Sequence, residues 1–236
     1  VRIMGQIVYY FWSYFRVSNR FDPMSFVVPS GNFGNAYAGY ISKKMGLPIK
    51  KIIIGSNKND ILTRFFKTGK MKIKKTLTSL SPSMDIQVSS NFERLLFDFY
   101  ENGKMIEKLF YKLENKKEFS VAETHLKNMR ETFGYGRISD FETKKTISKI
   151  FDRYKLIVDP HTAVGLSVGD EQLDKKERRI YLATAHYSKF IKTVKESIKK
   201  RVDYPDELKK ILKKKEKFEI IENDLDQLNK LIIKQN

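Results

Sequence analysis

Between Pro29 and Asn35 the chain reads Pro-Ser-Gly-Asn-Phe-Gly-Asn. An apolar run, Phe26-Val27-Val28, precedes this stretch, and a helix-like segment over 36–45 follows it. A strand, a turn of small residues and a helix N-terminus in that order form a cradle for a phosphate. The first-turn N–H groups of a helix lack intrahelical acceptors, and the helix dipole favours negative charge beside them. Gly31 and Gly34 allow close approach of backbone to the anion and positive φ where the turn requires it. The spacing is neither G-x-G-x-x-G nor G-x-x-x-x-G-K-[ST], so neither nucleotide fingerprint is present. On spacing alone the loop is equally an ordinary strand-to-helix connection. As a site, it is open to a nucleotide, a sugar phosphate or the phosphate of a pyridine cofactor.

The elements around the loop follow from periodicity and punctuation. Residues 2–15 read as a helix with little polar face, expected to be buried on most sides. A strand over 26–28 ends at Pro29, and a helix over 34–45 stops at Gly46-Leu47-Pro48, with Gly past its end and Pro beyond. A second β-branched strand covers 51–54. The pair forms a βαβ unit with parallel strands, whose ligand side lies at the strands' carboxyl ends, where residues 30–35 fall. A short helix is expected over 59–66. Residues 68–88 read as a loop crossing the surface or the active-site mouth. Helices are expected over 91–100, 104–113 and 121–132, the last broken by Gly134-Tyr135-Gly136. Ser139 with Glu142 makes a capping box for a helix reaching 154. After a short extended run at 156–158, a helix starts at 162. A strand over 179–182 follows, with Ala183-Thr184-Ala185-His186 at its carboxyl end. Amphipathic helices over 187–200 and 205–215 and a terminal helix over 225–233 complete the chain. The expected organisation is a sheet domain over 1–90, a helical insertion over 91–154, a return to the sheet over 155–200 and a helical appendage over 201–236.

Composition narrows the function classes. Lys and Arg number 46 against 28 Asp and Glu, a formal charge of +18. The basic residues are scattered, with one dense run at Lys209-Lys210 and Lys213-Lys214-Lys215, and they are not interleaved with stacking aromatics. That pattern does not match a DNA- or RNA-binding module, so no nucleic-acid partner is expected. A basic nucleic-acid-binding protein stays as a distant alternative. The positive field still attracts a phosphorylated small molecule. The sequence has no cysteine, which excludes a disulfide framework, a thiol nucleophile and a cysteine zinc site. His125, His161 and His186 have no metal-ligand spacing, and no metal site is expected. No apolar run has the length of a membrane span. No membrane partner is expected, and the cytoplasm is the default location.

The loop residues resemble the cofactor-phosphate loop of the threonine synthases, enzymes that use pyridoxal 5′-phosphate. The resemblance continues in family order from Arg2 to Phe190. It takes in Arg2-Ile3-Met4-Gly5-Gln6-Ile7-Val8-Tyr9-Tyr10-Phe11, Gly46-Leu47-Pro48-Ile49 and Asn57-Lys58-Asn59-Asp60. It then runs through Met84-Asp85-Ile86-Gln87-Val88-Ser89-Ser90-Asn91-Phe92-Glu93-Arg94 and Asp159-Pro160-His161-Thr162-Ala163-Val164-Gly165, and closes on Thr184-Ala185-His186 with Lys189-Phe190. It implies an α/β scaffold of the pyridoxal-phosphate β-family, tryptophan synthase β-like or fold type II, present in part. It implies that Ser30, Gly31, Asn32, Phe33, Gly34 and Asn35 hold the cofactor phosphate, mainly through backbone N–H groups. The Thr184 hydroxyl would meet the pyridine nitrogen. The implied reaction converts O-phospho-L-homoserine and water to L-threonine and phosphate. A related phospho-lyase or Thr/Ser dehydratase on the same scaffold is the alternative.

Residues around these carry weaker signals. Asn91 also reads as a helix N-cap and Arg94 as a solvated face residue. His161 reads as a hydrogen-bonded structural histidine, and His186 and Lys189 as pocket-shaping neighbours of Thr184. The family's Schiff-base lysine belongs to an aromatic-Lys-Asp stretch ahead of the Arg2 helix, and this sequence has no such stretch. The expectation is a C-terminal portion of the enzyme, with no catalytic lysine of its own and inactive alone.

Overall fold

The computed structural model describes residues 1–235. Val1–Val202 form one compact unit, and a second begins at Asp203. The first unit is built on a four-stranded parallel sheet in the order β5-β2-β1-β6. Its strands are β1 (Met24–Pro29), β2 (Ile49–Ser56), β5 (Phe133–Arg137) and β6 (Arg179–Tyr181). A two-stranded antiparallel ribbon joins β3 (Lys70–Lys72) to β4 (Glu118–Ser120).

Every residue of β1 is buried, because parallel strands are covered on both faces. Alternation divides the apolar side chains between two layers. Phe26, Val28, Ile52 and Ile54 face a core shared with helices α2 (Gly34–Lys44), α3 (Ile61–Thr68) and α4 (Phe92–Tyr100). Val27 and Ile53 face Val164 and Val168 of α8 (Pro160–Gln172). Asp159 caps α8 by accepting from the His161 N–H at 2.8 Å. Ser139 and Glu142 form the expected reciprocal cap of α7 (Asp140–Tyr154).

Three sequence expectations change. The Gly134-Tyr135-Gly136 segment is not only a helix breaker: it lies in β5, hydrogen-bonded in parallel register to β2 with Ile53 opposite Gly134. The 91–154 block therefore holds α4, α5 (Gly103–Lys116), α6 (Glu123–Thr132) and α7 but also β4 and β5, and through β5 it is built into the main sheet. Residues 187–200 form a 3-10 turn, Tyr187–Phe190, before the short helix α9 (Ile191–Ile198). Finally, α1 (Arg2–Val17) is not buried on most sides. Tyr10 and Tyr14 are buried, whereas Met4, Val8 and Trp12, spaced four apart on one face, are 69%, 60% and 61% exposed.

The second unit contains α10 (Asp206–Leu212) and α11 (Leu225–Gln235). No helix among the described residues is long and apolar enough to cross a membrane.

Sheet order fixes where a ligand can enter. From β1 the chain moves through α2 to β2 on one side, while β6 returns on the other side of β1. The boundary between β1 and β6 is a topological switch point, and the loops leaving the carboxyl ends of these two strands flank one crevice. Val27 stands opposite Tyr181, and the Leu182 N–H donates to the Val27 carbonyl at 3.0 Å. The 30–35 loop and Thr184 consequently emerge side by side.

Candidate active site

The Ser30 N–H donates to the Gly55 carbonyl at 3.0 Å, which continues the β1–β2 ladder and removes this N–H from the cradle. The next three N–H groups, of Gly31, Asn32 and Phe33, have no hydrogen-bond partner among the described residues. The Gly34 N–H is held by the Asn32 side-chain oxygen at 3.2 Å. Both the backbone N–H and the side-chain amide of Asn91 donate to the Asn32 carbonyl at 3.1 Å. A trans peptide points its N–H opposite to its C=O, so this double grip aims the Phe33 N–H away from Asn91. Asn91 precedes α4 as expected of an N-cap, yet its side chain serves the cradle instead of the helix.

The left-handed residue of the turn is Phe33, at φ 65° and ψ 2°, and not a glycine. A left-handed residue next to a right-handed one brings successive N–H groups into one concavity, the geometry of an anion nest. For a bulky residue this conformation costs about 1–2 kcal/mol. The Phe33 ring offsets the cost by complete burial against Phe92, Phe133 and Phe66, with centroids at 5.0, 5.6 and 6.5 Å. Phe33 thus contributes its main chain to the loop and its ring to the core.

Gly31 is needed for close approach. A Cβ there would meet the Met84 Cα at 3.0 Å, the Ser83 carbonyl oxygen at 3.1 Å and the Ile86 Cδ1 at 3.1 Å. The 82–86 segment roofs the loop at this point, so residues 68–88 do reach the mouth of the crevice.

One cavity of about 230 Å3 is lined by Ser30, Gly31, Asn32, Asn35 and Thr184, together with Arg2, Gln6, Ser83 and His161. Five of the seven sequence-predicted residues, from two distant segments, are brought together there, and Phe33 lines neither this cavity nor the two that adjoin it. Gly34 faces the neighbouring cavity of about 540 Å3, with Arg2, Gln6, Asn32, Ser90, Asn91 and Arg94 on its walls. A third cavity, of about 430 Å3, shares Gln6, Asn35 and Thr184 with the first.

Sequence reasoning passed over Gln6, which lines all three cavities. Its side-chain oxygen is buried without a partner. The available signal was a lone amide in an otherwise apolar helical run. Arg2 has no role in the sequence reading beyond opening a family block, and it brings a guanidinium to two of the cavities. His161 is held at both nitrogens: Nδ1 pairs with the Asp159 carboxylate at 2.9 Å, and Nε2 accepts from the Ser83 N–H at 3.3 Å. That tautomer places the proton on Nδ1 and makes His161 a strut under the 82–86 roof, in line with its structural reading. His186 bonds Ser188 at 2.8 Å and does not line the first cavity.

The site has one end rich in unpaired N–H groups and another bearing a hydroxyl at a strand terminus, set at the switch point of a parallel sheet. A solved structure described as a PLP-bound threonine synthase from Brucella melitensis matches 98% of this chain and 50% of its own, at 37% identity and a TM-score of 0.90. The class is therefore the fold type II pyridoxal-phosphate scaffold, represented by half of its length. A family model described as "Threonine synthase, C-terminal" matches residues 162–232. The threonine synthase of Saccharomyces cerevisiae is 40% identical over 92% of this chain and 48% of its own length, and that of Pseudomonas aeruginosa is 39% identical over 95% and 48%. Along nearly its whole length the chain is similar to threonine synthases, and it spans about half the length of the curated relatives it matches.

Proposed function

We propose that the cavity between the 30–35 loop and Thr184 binds pyridoxal 5′-phosphate, and that the chain serves in converting O-phospho-L-homoserine and water to L-threonine and phosphate. The observation that carries this reading is the presence of Gly31 and Thr184 on the walls of one cavity. The unpaired N–H groups of Gly31, Asn32 and Phe33 suit a phosphate dianion, and the first turn of α2 adds its dipole. A roof that leaves no room for a Cβ at Gly31 suits direct contact between main chain and anion. The Thr184 hydroxyl suits a pyridine nitrogen, to which it donates without transferring a full proton.

Bound there, the cofactor would supply an electron sink for negative charge at the Cα and Cβ atoms of an amino acid. The chain's own work is binding and orientation. The adjoining cavity, with Arg2 and Arg94 on its walls, suits the phosphate of the substrate, because guanidinium forks pair with phosphate oxygens. No lysine lines any of the three cavities among the described residues. The amine that would hold the cofactor and move protons at Cα must then come from outside these residues, and the chain alone is expected to be inactive. The proposed setting is the cytoplasm.

Titration with pyridoxal 5′-phosphate and, separately, with pyridoxal tests the reading. Tight binding of the phosphorylated form only, with protection of the 31–35 amides from exchange, is expected. Equal affinity for both forms would show that the loop does not hold the phosphate. Threonine release from O-phospho-L-homoserine by the unaided chain would overturn the expectation of inactivity.

A further inference from the structure

Outside the cradle, a polar cluster surrounds the carboxylate of Asp85. Its Oδ1 accepts from the side-chain amides of Asn57 and Asn59, both at 2.8 Å, and from the Ser79 hydroxyl at 2.5 Å. Its Oδ2 accepts from the Ser79 N–H at 2.8 Å. Asn57 and Asn59 are buried and lie just beyond the carboxyl end of β2, the strand next to β1. Neither amide is free to turn over. The Asn57 carbonyl oxygen already accepts from the Asn59 N–H at 2.8 Å, and that of Asn59 from the Leu77 N–H at 2.9 Å. Both therefore present only N–H groups to Asp85, and an acceptor on every side is required there. No Lys or Arg among the described residues pairs with this carboxylate, so its charge is directed at neutral donors.

Asp85 directly follows the 3-10 turn Pro82–Met84, which supplies the Met84 and Ser83 atoms seated on Gly31. The carboxylate joins this turn to the loop after β2, while the cradle is the loop after β1. We propose that Asp85 is a positioning residue for the anion cradle: it fixes the Ser83–Met84 roof over Gly31 and so sets how the 31–33 N–H groups face the ligand. Asp85 touches neither the anion nor the cofactor. The inference rests on the cofactor reading above and assigns it a residue that works at one remove.

Asp85→Asn in the full chain tests it. One oxygen becomes an NH2 group facing donors that cannot reverse, so the clasp opens while side-chain size is kept. The readouts are affinity for inorganic phosphate and for pyridoxal 5′-phosphate, and amide exchange resolved by residue. Tenfold or weaker binding of both ligands is expected. Exchange should quicken at Gly31 to Asn35 and at Ser79 to Met84, with Val27 and Ile53 in the sheet as protected as in the native chain. A merely structural role would instead raise exchange throughout the sheet. Native phosphate affinity in a variant with a protected sheet would overturn the proposal. Should Asp85→Asn fail to fold, Ser79→Ala removes the hydroxyl that donates to Asp85 and accepts from the Asn57 amide and the Ser81 N–H, and a threefold loss of phosphate affinity is expected; native affinity there overturns the proposal equally. If the native chain binds neither ligand, the cofactor reading itself falls and this inference with it. Binding by the native chain with no effect of either variant sinks the clasp alone.

Discussion

Gly31→Ala is the sharpest perturbation of the cradle, because its effect can be worked from distances. The added Cβ would lie 3.0 Å from the Met84 Cα and 3.1 Å from the Ser83 carbonyl oxygen, both main-chain atoms, where ordinary contact begins near 3.4 Å. Gly31 does not have positive φ, so alanine meets no backbone strain. The substitution gains about 0.4–1 kcal/mol by restricting the unfolded chain. Against this stands an overpacking cost of about 1–3 kcal/mol, giving a net destabilisation of roughly 0–2.5 kcal/mol. The effect on ligand should be larger. The roof is tied down through Asp85 and through the Ser83 N–H to His161, so the 31–33 loop is the part that yields. Losing one N–H bond to a charged phosphate costs about 1.5–3 kcal/mol, or roughly 10- to 150-fold in affinity. Spectroscopic titration with pyridoxal 5′-phosphate beside a thermal melt separates the two quantities. A variant that melts a few degrees lower yet binds with native affinity would show that the N–H groups at 31–33 are not what holds the phosphate.

Three further outcomes are expected. Thr184→Val should weaken pyridoxal 5′-phosphate about 2- to 10-fold through loss of one hydrogen bond, leaving inorganic phosphate affinity unchanged; a parallel loss of both would place Thr184 at the wrong end of the cavity. Glu177 accepts from the Ser25 hydroxyl and from Lys50 at 2.7 Å. Burial pushes its carboxyl up, but the Lys50 and Ser25 bonds and the Lys50 and Arg179 charges outweigh burial and hold it below the ordinary value of 4.5. Its stabilising contribution is therefore complete above that value and is lost as pH falls through the lower folded one. Glu177→Gln should flatten the acid side of the melting temperature–pH profile, and an unchanged slope would refute the assignment. The open face of α1 should drive self-association, and Val8→Lys with Trp12→Lys should give a monomer in sedimentation velocity at concentrations where the native chain associates; identical sedimentation would refute this.

Legibility in the sequence followed the range of the interactions. The strand–loop–helix order around residues 30–35 was readable because consecutive residues specify it, and the capping box at Ser139 because it spans four. β5 was not readable. Gly134-Tyr135-Gly136 reads as a helix breaker, since glycine weakens a strand and usually marks a turn. Its glycines instead answer to partners far away in sequence: a Cβ on Gly134 would meet the Ile53 Cδ1 at 2.4 Å, and one on Gly136 the Val168 Cγ1 at 2.6 Å. The exposed face of α1 was misread for a related reason. Its apolar residues occupy both sides of the helix, and periodicity records only that a surface is apolar, not whether anything within the described chain covers it. The family resemblance supplied what local pattern could not, the pairing of the 30–35 loop with Thr184.

The geometry explains why that pairing is robust. The β1–β6 register sets Tyr181 against Val27, so the loops that follow begin level with each other whatever their own sequences are. Within the 30–35 loop the left-handed backbone is confined to Phe33, where a cost of about 1–2 kcal/mol is offset by burying an aromatic ring worth about 1.5–3 kcal/mol. Replacing Phe33 by glycine would relax the backbone but lose the burial of the ring, along with its contacts to Phe66, Phe92 and Phe133 that fix the start of α2. A core residue thus sets the direction of the N–H groups in the loop, and the proposed anion site, assembled from main chain, depends on packing as much as on its glycines.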